Sequence, residues 1–318
     1  MKFDLNEKRF KFKKIKSCNE KEVCDLDNIS IKLLNYPSYD DLEKYIPELV
    51  LATWTENLED TIEINVNDKN EIMKLFFEGK LIPTAQKSVQ ITFLIKGLTT
   101  HDVTHLLRHS GLSFAADCTG DKYINDRKLV VPSFLYDAPK EYKDRYIKLM
   151  KETYELYDDV CNNLTTKVHI QDARLILPRE LETFYYVTGN LLDIIRFLNQ
   201  RIDMQVQPKS DNVLALKLYK ELKKVYPMLN IDINHKNTFY CNESKHQLSS
   251  KWYKPLKQNE TEYTLSMDTV YGDMTKMYGY NKYKEIENKI VGEINENSSN
   301  WYWWCIELLS SNIFRFCI

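Results

Sequence analysis

The stretch SVQITFLIKGLTTHDVTHLLRHSGLSFAADC, residues 88–118, has the most distinct pattern in this chain of 318 residues. Its first ten residues are rich in β-branched and aromatic side chains, which predicts a strand. Residues 99–109 have helical spacing: a threonine can cap the start, and Asp102 falls in the first turn, where the helix dipole favours an anion. The small side chains that follow His109 predict a segment whose backbone a large ligand can approach.

Strand and helix patterns continue on both sides of this stretch. Residues 29–35 (ISIKLLN) alternate in polarity like a strand, and residues 182–189 (ETFYYVTG) are typical of another. Apolar residues with helical spacing predict helices at residues 39–53, 67–79, 138–164, 190–201, 210–225 and 283–294. The longest of these has an aromatic stripe that we interpret as core or as a subunit interface. This mixture of elements predicts an α+β fold.

Composition divides the chain into three predicted parts. Residues 1–28 contain the run KRFKFKKIK and form a basic N-terminal arm, interpreted as a solvated arm or edge strand rather than a nucleic-acid or membrane contact. Residues 29–230 contain the regular pattern and form the predicted catalytic domain. Residues 231–318 are rich in Asn, Lys, Ser and Tyr, and form a C-terminal extension that includes the aromatic cluster WYWW.

Composition also argues against several kinds of protein. The 8 glycines form no Gly-x-Gly pair, so the sequence has neither a Rossmann fingerprint nor a P-loop, and side chains must hold any nucleotide ligand. The net charge is −2, with 44 basic and 46 acidic side chains, which gives no field for nucleic acid. The 7 scattered cysteines, the charged N-terminus and the lack of an apolar run of ~18 residues predict a cytoplasmic protein without a membrane span.

Histidines are the first group of candidate functional residues. His101, His105 and His109 recur at every fourth position, on one face of the predicted helix. The outer two would lie ~12 Å apart, so a single ion could be bound by two of them at most. We therefore expect no metal, and favour a polar face that lines a ligand cleft over a metal site.

Arginines in apolar or helix-end settings are the second group: Arg108, Arg174, Arg196 and Arg201, with Gln207 following the last. A guanidinium in an apolar setting is costly unless it is paired. One interpretation is a salt bridge to Asp193 or Asp203. The other is that several arginines converge on an anionic ligand such as a phosphorylated one.

The order of these segments resembles the flavin-dependent thymidylate synthases. That family has a signature of the form RHRxxSxNxxSxR, then an A-R-x-x-L-P segment, then a helix that ends in an arginine followed by Ala-Gln. Here RHSGLSFAADC (108–118), ARLILP (173–178) and the pattern N-x10-R-x5-Q (190–207) occur in the same order at compatible spacings. The resemblance covers residues 29–230.

The resemblance implies an α+β subunit that forms a homotetramer with active sites shared between subunits. It implies a bound FAD and methylation of the pyrimidine of dUMP, with methylenetetrahydrofolate as carbon donor and NADPH as reductant of the flavin. It also assigns Arg108, His109 and Asn190 to the flavin site. It assigns Arg174, Arg201 and Gln207 to the nucleotide site. Arg201 is in addition a catalytic candidate, because the matching arginine contacts the pyrimidine.

Four positions differ from the signature: Ser110, Ala115, Cys118 and Gly120 stand where the family has Arg, Asn, Ser and Arg. Cys118 is the second catalytic candidate, because a thiolate beside cations could add to C6 of a pyrimidine and activate C5. The alternative is a thiol that packs as a small apolar side chain.

Three functions stay open at this point. The first is flavin-dependent modification of a pyrimidine deoxynucleotide at C5, by methylation or a related one-carbon transfer. The second is an inactive homologue that acts as a nucleotide-binding or assembly subunit. The third is a metal-dependent hydrolase that uses the histidine face.

Overall fold

A four-stranded antiparallel sheet forms the centre of the fold. The structure is a computed structural model, and it describes residues 23–24, 26–52, 64–116, 129–164, 167–202, 209–231 and 278–313. Its strands are β1 (Val23–Cys24), β2 (Ser30–Asn35), β3 (Gln90–Thr99), β4 (Leu112–Ala116), β5 (Leu129–Val130) and β6 (Glu182–Asn190). The main sheet has the order β2-β3-β6-β4, and β1 pairs with β5 in a separate parallel ladder. The α+β class and the three predicted strands are confirmed.

A bulge in β3 depends on glycine. The register of β3 against β6 shifts between Lys96 and Leu98, and Gly97 between them has a φ of 86°. A Cβ at this position would lie 2.8 Å from the carbonyl oxygen of Asn28. A larger residue would therefore push β3 away from the chain that enters β2.

Helices cover the sheet: α1 (Tyr39–Ala52), α2 (Val66–Phe77), α3 (Pro83–Lys87), α4 (Thr100–Leu106), α5 (Lys140–Asn163), α6 (Ile170–Ala173), α7 (Leu191–Arg201), α8 (Lys209–Val225) and α9 (Tyr280–Ile313). Short 3-10 helices lie at Leu26–Asn28, Ser133–Leu135 and Arg174–Ile176. Each predicted helix is present, and most ends differ by at most three residues. The exception is α9, predicted at residues 283–294, which continues to Ile313. None of the described helices is long and apolar enough to cross a membrane.

Helix α4 is shorter than predicted. It ends at Leu106, and the amide of His109 donates a hydrogen bond to the Leu106 carbonyl in the turn that follows. The chain then enters β4, which pairs with β6 in a register that begins at Leu112 and Gly189. The prediction that three histidines share one helical face is therefore wrong, because His109 lies in the turn that leads into an edge strand.

The main core lies between the sheet and the helices. Alternate side chains of β3 (Ile91, Phe93 and Ile95) are buried, as are the facing residues of α1, α7 and α8. The buried residues of α9 in this core include Tyr283, Ile286, Ile290 and Ile294. The described part of segment 231–318 therefore packs within the same core as residues 29–230, while the boundary at residue 231 stays a prediction from composition.

A second hydrophobic cluster surrounds α5. Its buried members from that helix are Met150, Tyr154, Tyr157 and Cys161. They pack against β5, the start of β6 and the short helix α6. The predicted aromatic stripe is therefore mainly core, although its first member, Tyr142, is exposed.

Candidate functional site

The site lies where the turn after α4 meets both ends of α7 and the start of α8. The turn contains Arg108, His109 and Gly111, and it runs past the N-terminus of α7 before β4 begins. A Cβ on Gly111 would lie 2.1 Å from Oδ2 of Asp193 in the first turn of α7. Glycine therefore lets this turn approach the helix closely enough for His109 to reach α7.

Arg201, the last residue of α7, joins the turn to α8. Its Nε donates a hydrogen bond to Nε2 of His109 at 2.8 Å, and its Nη1 forms an ion pair with Oδ2 of Asp211 at 3.1 Å. The side chains of Arg201 and Asp211 are 8% and 0% exposed, so the pair is buried. The side-chain amide of Asn212 donates to the carbonyl of Arg201 at 2.6 Å.

The predicted ion-pair partners of the arginines are only partly correct. Asp193 pairs with Arg196, at 3.4 Å on an exposed part of α7. Arg201 instead pairs with Asp211, ten residues along the chain in the next helix. The other predicted partner, Asp203, lies outside the described residues.

The charge state of this cluster follows from burial. Burial, together with the positive charge of Arg201, lowers the pKa of His109 to about 4. The imidazole is thus neutral at physiological pH; because Nε2 accepts from Arg201, Nδ1 bears the hydrogen and is the ring's donor. Burial raises the pKa of Asp211 to about 7, although the charge of Arg201 opposes this change. The ring of Phe197 packs edge-on against His109, with centroids 4.9 Å apart.

A buried network around Asp102 links α4 to α8. Its Oδ2 accepts hydrogen bonds from the amide and the hydroxyl of Thr99, both at 2.8 Å. Its Oδ1 accepts from the hydroxyl of Ser210, in the first turn of α8, at 2.5 Å. The starts of the two helices are thereby held together. The positive charge of Arg108 also lies near Asp211 and opposes the rise of the Asp211 pKa.

Sequence reasoning missed Asp211, Asn212 and Ser210. All three belong to the triplet Ser-Asp-Asn at residues 210–212, at the start of α8. Such polar residues are common at helix N-termini, where they satisfy backbone amides. The triplet therefore gave no signal of a buried network until the fold brought α7 and α8 together.

Asn190 has a structural role at the start of α7. Its Oδ1 accepts a hydrogen bond from the amide of Asp193 at 3.0 Å, and its Nδ2 donates to Oδ2 of Asp193 at 2.6 Å. The residue is therefore the N-cap of the helix that ends in Arg201. Its assignment to the flavin stays a prediction.

The other predicted site residues lie elsewhere. Arg174 is half-buried in the 3-10 helix that precedes β6, whereas Asn190 ends that strand, and nine strand residues span ~26 Å. Cys118 and Gln207 lie outside the described residues. His101 is exposed, and among the described residues no three His, Cys, Asp or Glu side chains cluster as metal ligands.

Comparisons with known proteins agree with this architecture. The family model for "thymidylate synthase complementing protein" matches residues 39–228. A flavin-dependent thymidylate synthase of Thermococcus onnurineus is 28% identical over 206 residues, which is 62% of this chain and 80% of the relative. A flavin-dependent thymidylate synthase of Pyrococcus furiosus is 26% identical over 204 residues, again 62% of this chain and 80% of the relative.

A solved structure is also similar in fold. The UMP/dUMP methylase PolB of Streptomyces cacaoi, bound with 5-Br dUMP, matches with a TM-score of 0.50 and 17% identity. The match covers 65% of this chain and 94% of that one. The resemblance inferred from the ordered motifs is thus confirmed, and since the family model matches more than half of the residues, the chain belongs to the thymidylate synthase complementing protein family.

Proposed function

We propose that the protein is a flavin-dependent enzyme that modifies C5 of a pyrimidine deoxynucleotide such as dUMP, by methylation or a related one-carbon transfer. One observation carries the proposal: Arg201 Nε donates to His109 Nε2 at 2.8 Å, although 92 residues separate the two along the chain. The family motifs associate His109 with the flavin and Arg201 with the pyrimidine. Their contact supports a single site in which cofactor and substrate meet.

The residues present fit a flavin nucleotide. Arg108 has an exposed guanidinium beside His109, which suits a phosphate of FAD. The neutral imidazole of His109 offers Nδ1–H as a hydrogen-bond donor without adding a second buried charge. When bound, the flavin would supply the hydride that reduces a transferred one-carbon unit to a methyl group. NADPH as its reductant and methylenetetrahydrofolate as carbon donor complete the proposed set of co-substrates.

Arg201 is the proposed pyrimidine-binding residue. Its guanidinium is held on one side by His109 and on the other by Asp211, so its orientation is fixed before a ligand arrives. A preorganised guanidinium can donate to the carbonyl edge of a pyrimidine at little entropic cost. Gln207, six residues further on, is proposed to help bind the same nucleotide.

A shared site in a homotetramer is also proposed. Arg174, the other nucleotide-binding candidate, precedes the first residue of β6, whereas Asn190 is the last residue of this strand, which is ~26 Å long. A second subunit that presents its own Arg174 would complete the site, which supports shared active sites. The scattered cysteines support a reducing, cytoplasmic compartment.

The visible spectrum of the purified protein tests the proposal. We expect absorption bands at ~375 and ~450 nm, which come from the flavin itself. NADPH should bleach these bands, and methylenetetrahydrofolate with dUMP should restore them as the methylated nucleotide forms. A colourless protein that FAD cannot reconstitute, and that forms no product, would overturn the proposed function.

A nucleotide-binding or assembly subunit without chemistry is the second candidate. Arg201 is only 8% exposed, and both its Nε and its Nη1 already donate within the chain. Ser110, which is exposed, stands where the signature has its second arginine. Titration calorimetry separates the candidates: this function predicts that dUMP binds while FAD does not.

Cys118 is proposed as a nucleophile that assists the reaction. Its thiolate would add to C6 of the pyrimidine, and C5 would attack the methylene carbon of the folate. Loss of the C5 proton would then expel tetrahydrofolate, and addition of hydride to the resulting exocyclic methylene would form the methyl group and release the thiolate. Cys118→Ser should then lower turnover by several orders of magnitude while dUMP still binds. Iodoacetamide should alkylate Cys118 rapidly, and dUMP should protect it. Unchanged turnover, or no alkylation in the folded protein, would contradict this role.

A further inference from the structure

Helix α5 has an unusual distribution of charge. Its first half, residues 140–151, contains five cations and two acids. Its second half, residues 152–163, contains four acids and no cation. The helix dipole favours the opposite order, with acids near the N-terminus and cations near the C-terminus. The stability of the helix itself therefore does not explain this pattern.

One exposed face of α5 is apolar. Tyr142, Leu149 and Leu156 are 56%, 55% and 52% exposed and recur at every seventh residue, so they form a straight seam along the helix. The buried side chains Met150, Tyr154 and Tyr157 point to a different side, into the second hydrophobic cluster. The seam therefore lies outside the fold of the described residues.

Charged residues line this seam. On one side of it, Arg145 lies in the first half of the helix and Asp159 in the second half, with Lys148 and Glu155 further round on the same side. All four side chains are exposed. The seam thus has a cationic end and an acidic end, which is the pattern of a surface complementary to itself when reversed.

We propose that this seam is the interface with a second copy of the chain, whose α5 packs antiparallel about a two-fold axis near Glu152. Around such an axis Leu149 faces Leu156, Arg145 faces Asp159, and Lys148 faces Glu155. A two-fold axis repeats each pair, so Arg145 and Lys148 of each copy meet acids of the other. Glu152, which pairs with Lys148 of its own helix at 3.7 Å, lies nearest the axis. A helix of 24 residues provides a contact ~36 Å long.

The charge pattern excludes a parallel arrangement. Parallel pairing in register would set Arg145 against its own copy, and likewise Asp159, so like charges would face each other along the whole seam. The inference goes beyond the proposed function, since it names a surface and an orientation that hold whether or not the protein binds flavin.

Charge reversal on the full-length chain tests the interface. Arg145→Asp sets two acids against each other at both ends of the contact, and Asp159→Arg sets two cations against each other. Each single variant should raise the dissociation constant of the assembly at least about tenfold, measured by analytical ultracentrifugation over a range of concentrations. The double variant Arg145→Asp with Asp159→Arg should restore assembly, because the opposite charges meet again.

Matched controls lie on the far side of the same helix. Asp144 and Lys151 are exposed, are also spaced by seven residues and lie further round the helix from the seam than Arg145 and Asp159, so Asp144→Arg and Lys151→Asp should change the dissociation constant far less. Under mild oxidation the Glu152→Cys variant, whose thiol lies close to the axis, should form a disulfide cross-link between two copies. The Asp144→Cys variant should form no more cross-linked dimer than the unaltered chain.

Three outcomes would overturn the inference. A monomeric wild-type chain at tens of micromolar would show that no second copy binds the seam. Single reversals that leave the assembly unchanged would show that another surface forms the interface. A double variant that remains dissociated would show that Arg145 and Asp159 do not face each other.

Discussion

At Arg201 the cost of burying a guanidinium is offset by two partners from different parts of the chain. His109 comes from the turn after α4 and Asp211 from α8, so the arginine, at the end of α7, connects three parts of the fold. In the role proposed for Arg201, its removal would leave carbonyls of the pyrimidine without donors, at ~1–3 kcal/mol each. Arg201→Ala should therefore weaken dUMP binding tenfold or more in titration calorimetry, while the flavin absorbance stays nearly intact.

Arg196 provides the matched control for this prediction. It lies on the same helix and is ion-paired with Asp193 at 3.4 Å, but its side chain is 58% exposed. Arg196→Ala should change dUMP binding less than about twofold, because an exposed pair contributes little. Equal loss of flavin and nucleotide in Arg201→Ala, or no loss of either, would mean that Arg201 is only the structural partner of Asp211.

His109 and Asp211 should give opposite slopes of stability against pH. His109 has a pKa lowered to about 4 from 6.5, so its contribution is complete above pH 6.5 and is lost as the pH falls through 4. Asp211 has a pKa raised to about 7 from 3.8, so its contribution is complete below pH 3.8 and is lost as the pH rises through 7. Between pH 4 and 6.5 the two effects oppose each other in the wild-type chain.

Two variants separate these contributions. Urea unfolding of Asp211→Asn should give a free energy of unfolding that rises with pH between 4 and 6.5, because only the His109 effect remains. His109→Gln should give a free energy that falls over the same window, because only the Asp211 effect remains. Parallel pH profiles for the two variants would contradict the assigned protonation states.

At the scale of elements, local pattern predicted most of the fold. The alternation in β2, the β-branched run in β3 and the apolar spacing of the long helices are local signals, and the structure confirms these elements. The errors occur where tertiary pairing decides. β4 was expected to be a segment of small residues, but it forms an edge strand because β6 offers it an antiparallel partner. That pairing also ends α4 early.

Gly111 tests how the turn and α7 fit together. A Cβ at this residue would lie within 2.7 Å of three atoms of Asp193, including its Cβ, so either the turn or the helix must move. Gly111→Ala should lower the free energy of unfolding by ~1–3 kcal/mol, as overpacking does, and should disturb the cap formed by Asn190. Thermal or urea unfolding measures the change.

Gly292 in α9 is the opposite case. A Cβ there would meet nothing within 4 Å, and its helical backbone suits alanine better than glycine. Gly292→Ala should therefore stabilise the protein by ~0.5–1 kcal/mol. If Gly111→Ala, like Gly292→Ala, did not lower the free energy of unfolding, the turn could not approach α7 as closely as described.

At the scale of the whole molecule, the sequence singled out two residues that are in contact but did not predict the residues that pair with them. The ordered motifs identified His109 and Arg201, which the structure brings into contact. Asp211 and the network of Asp102 with Ser210 depend on how α4, α7 and α8 pack. Such contacts between distant segments have no local signature, because each residue alone resembles an ordinary helix-end polar group.

The packing of α9 shows how the described part of segment 231–318 joins the main body. Four of its side chains, at three- or four-residue spacing, lie in the main core, and Ile290 is 2% exposed. Two ion pairs also join α9 to earlier segments: Lys289 with Asp27 at 2.9 Å, and Glu293 with Lys220. Burial of this kind makes the unfolding of α9 and of the sheet a single cooperative event.

Ile290→Ala measures this coupling. Loss of a buried isoleucine side chain should lower the free energy of unfolding by ~2–5 kcal/mol, in one transition seen equally by circular dichroism and by tryptophan fluorescence. Glu285→Ala, on the same helix with a side chain 73% exposed, is the control and should change stability by less than ~0.5 kcal/mol. If α9 were an independent appendage, Ile290→Ala would produce a separate early transition and leave the main one in place.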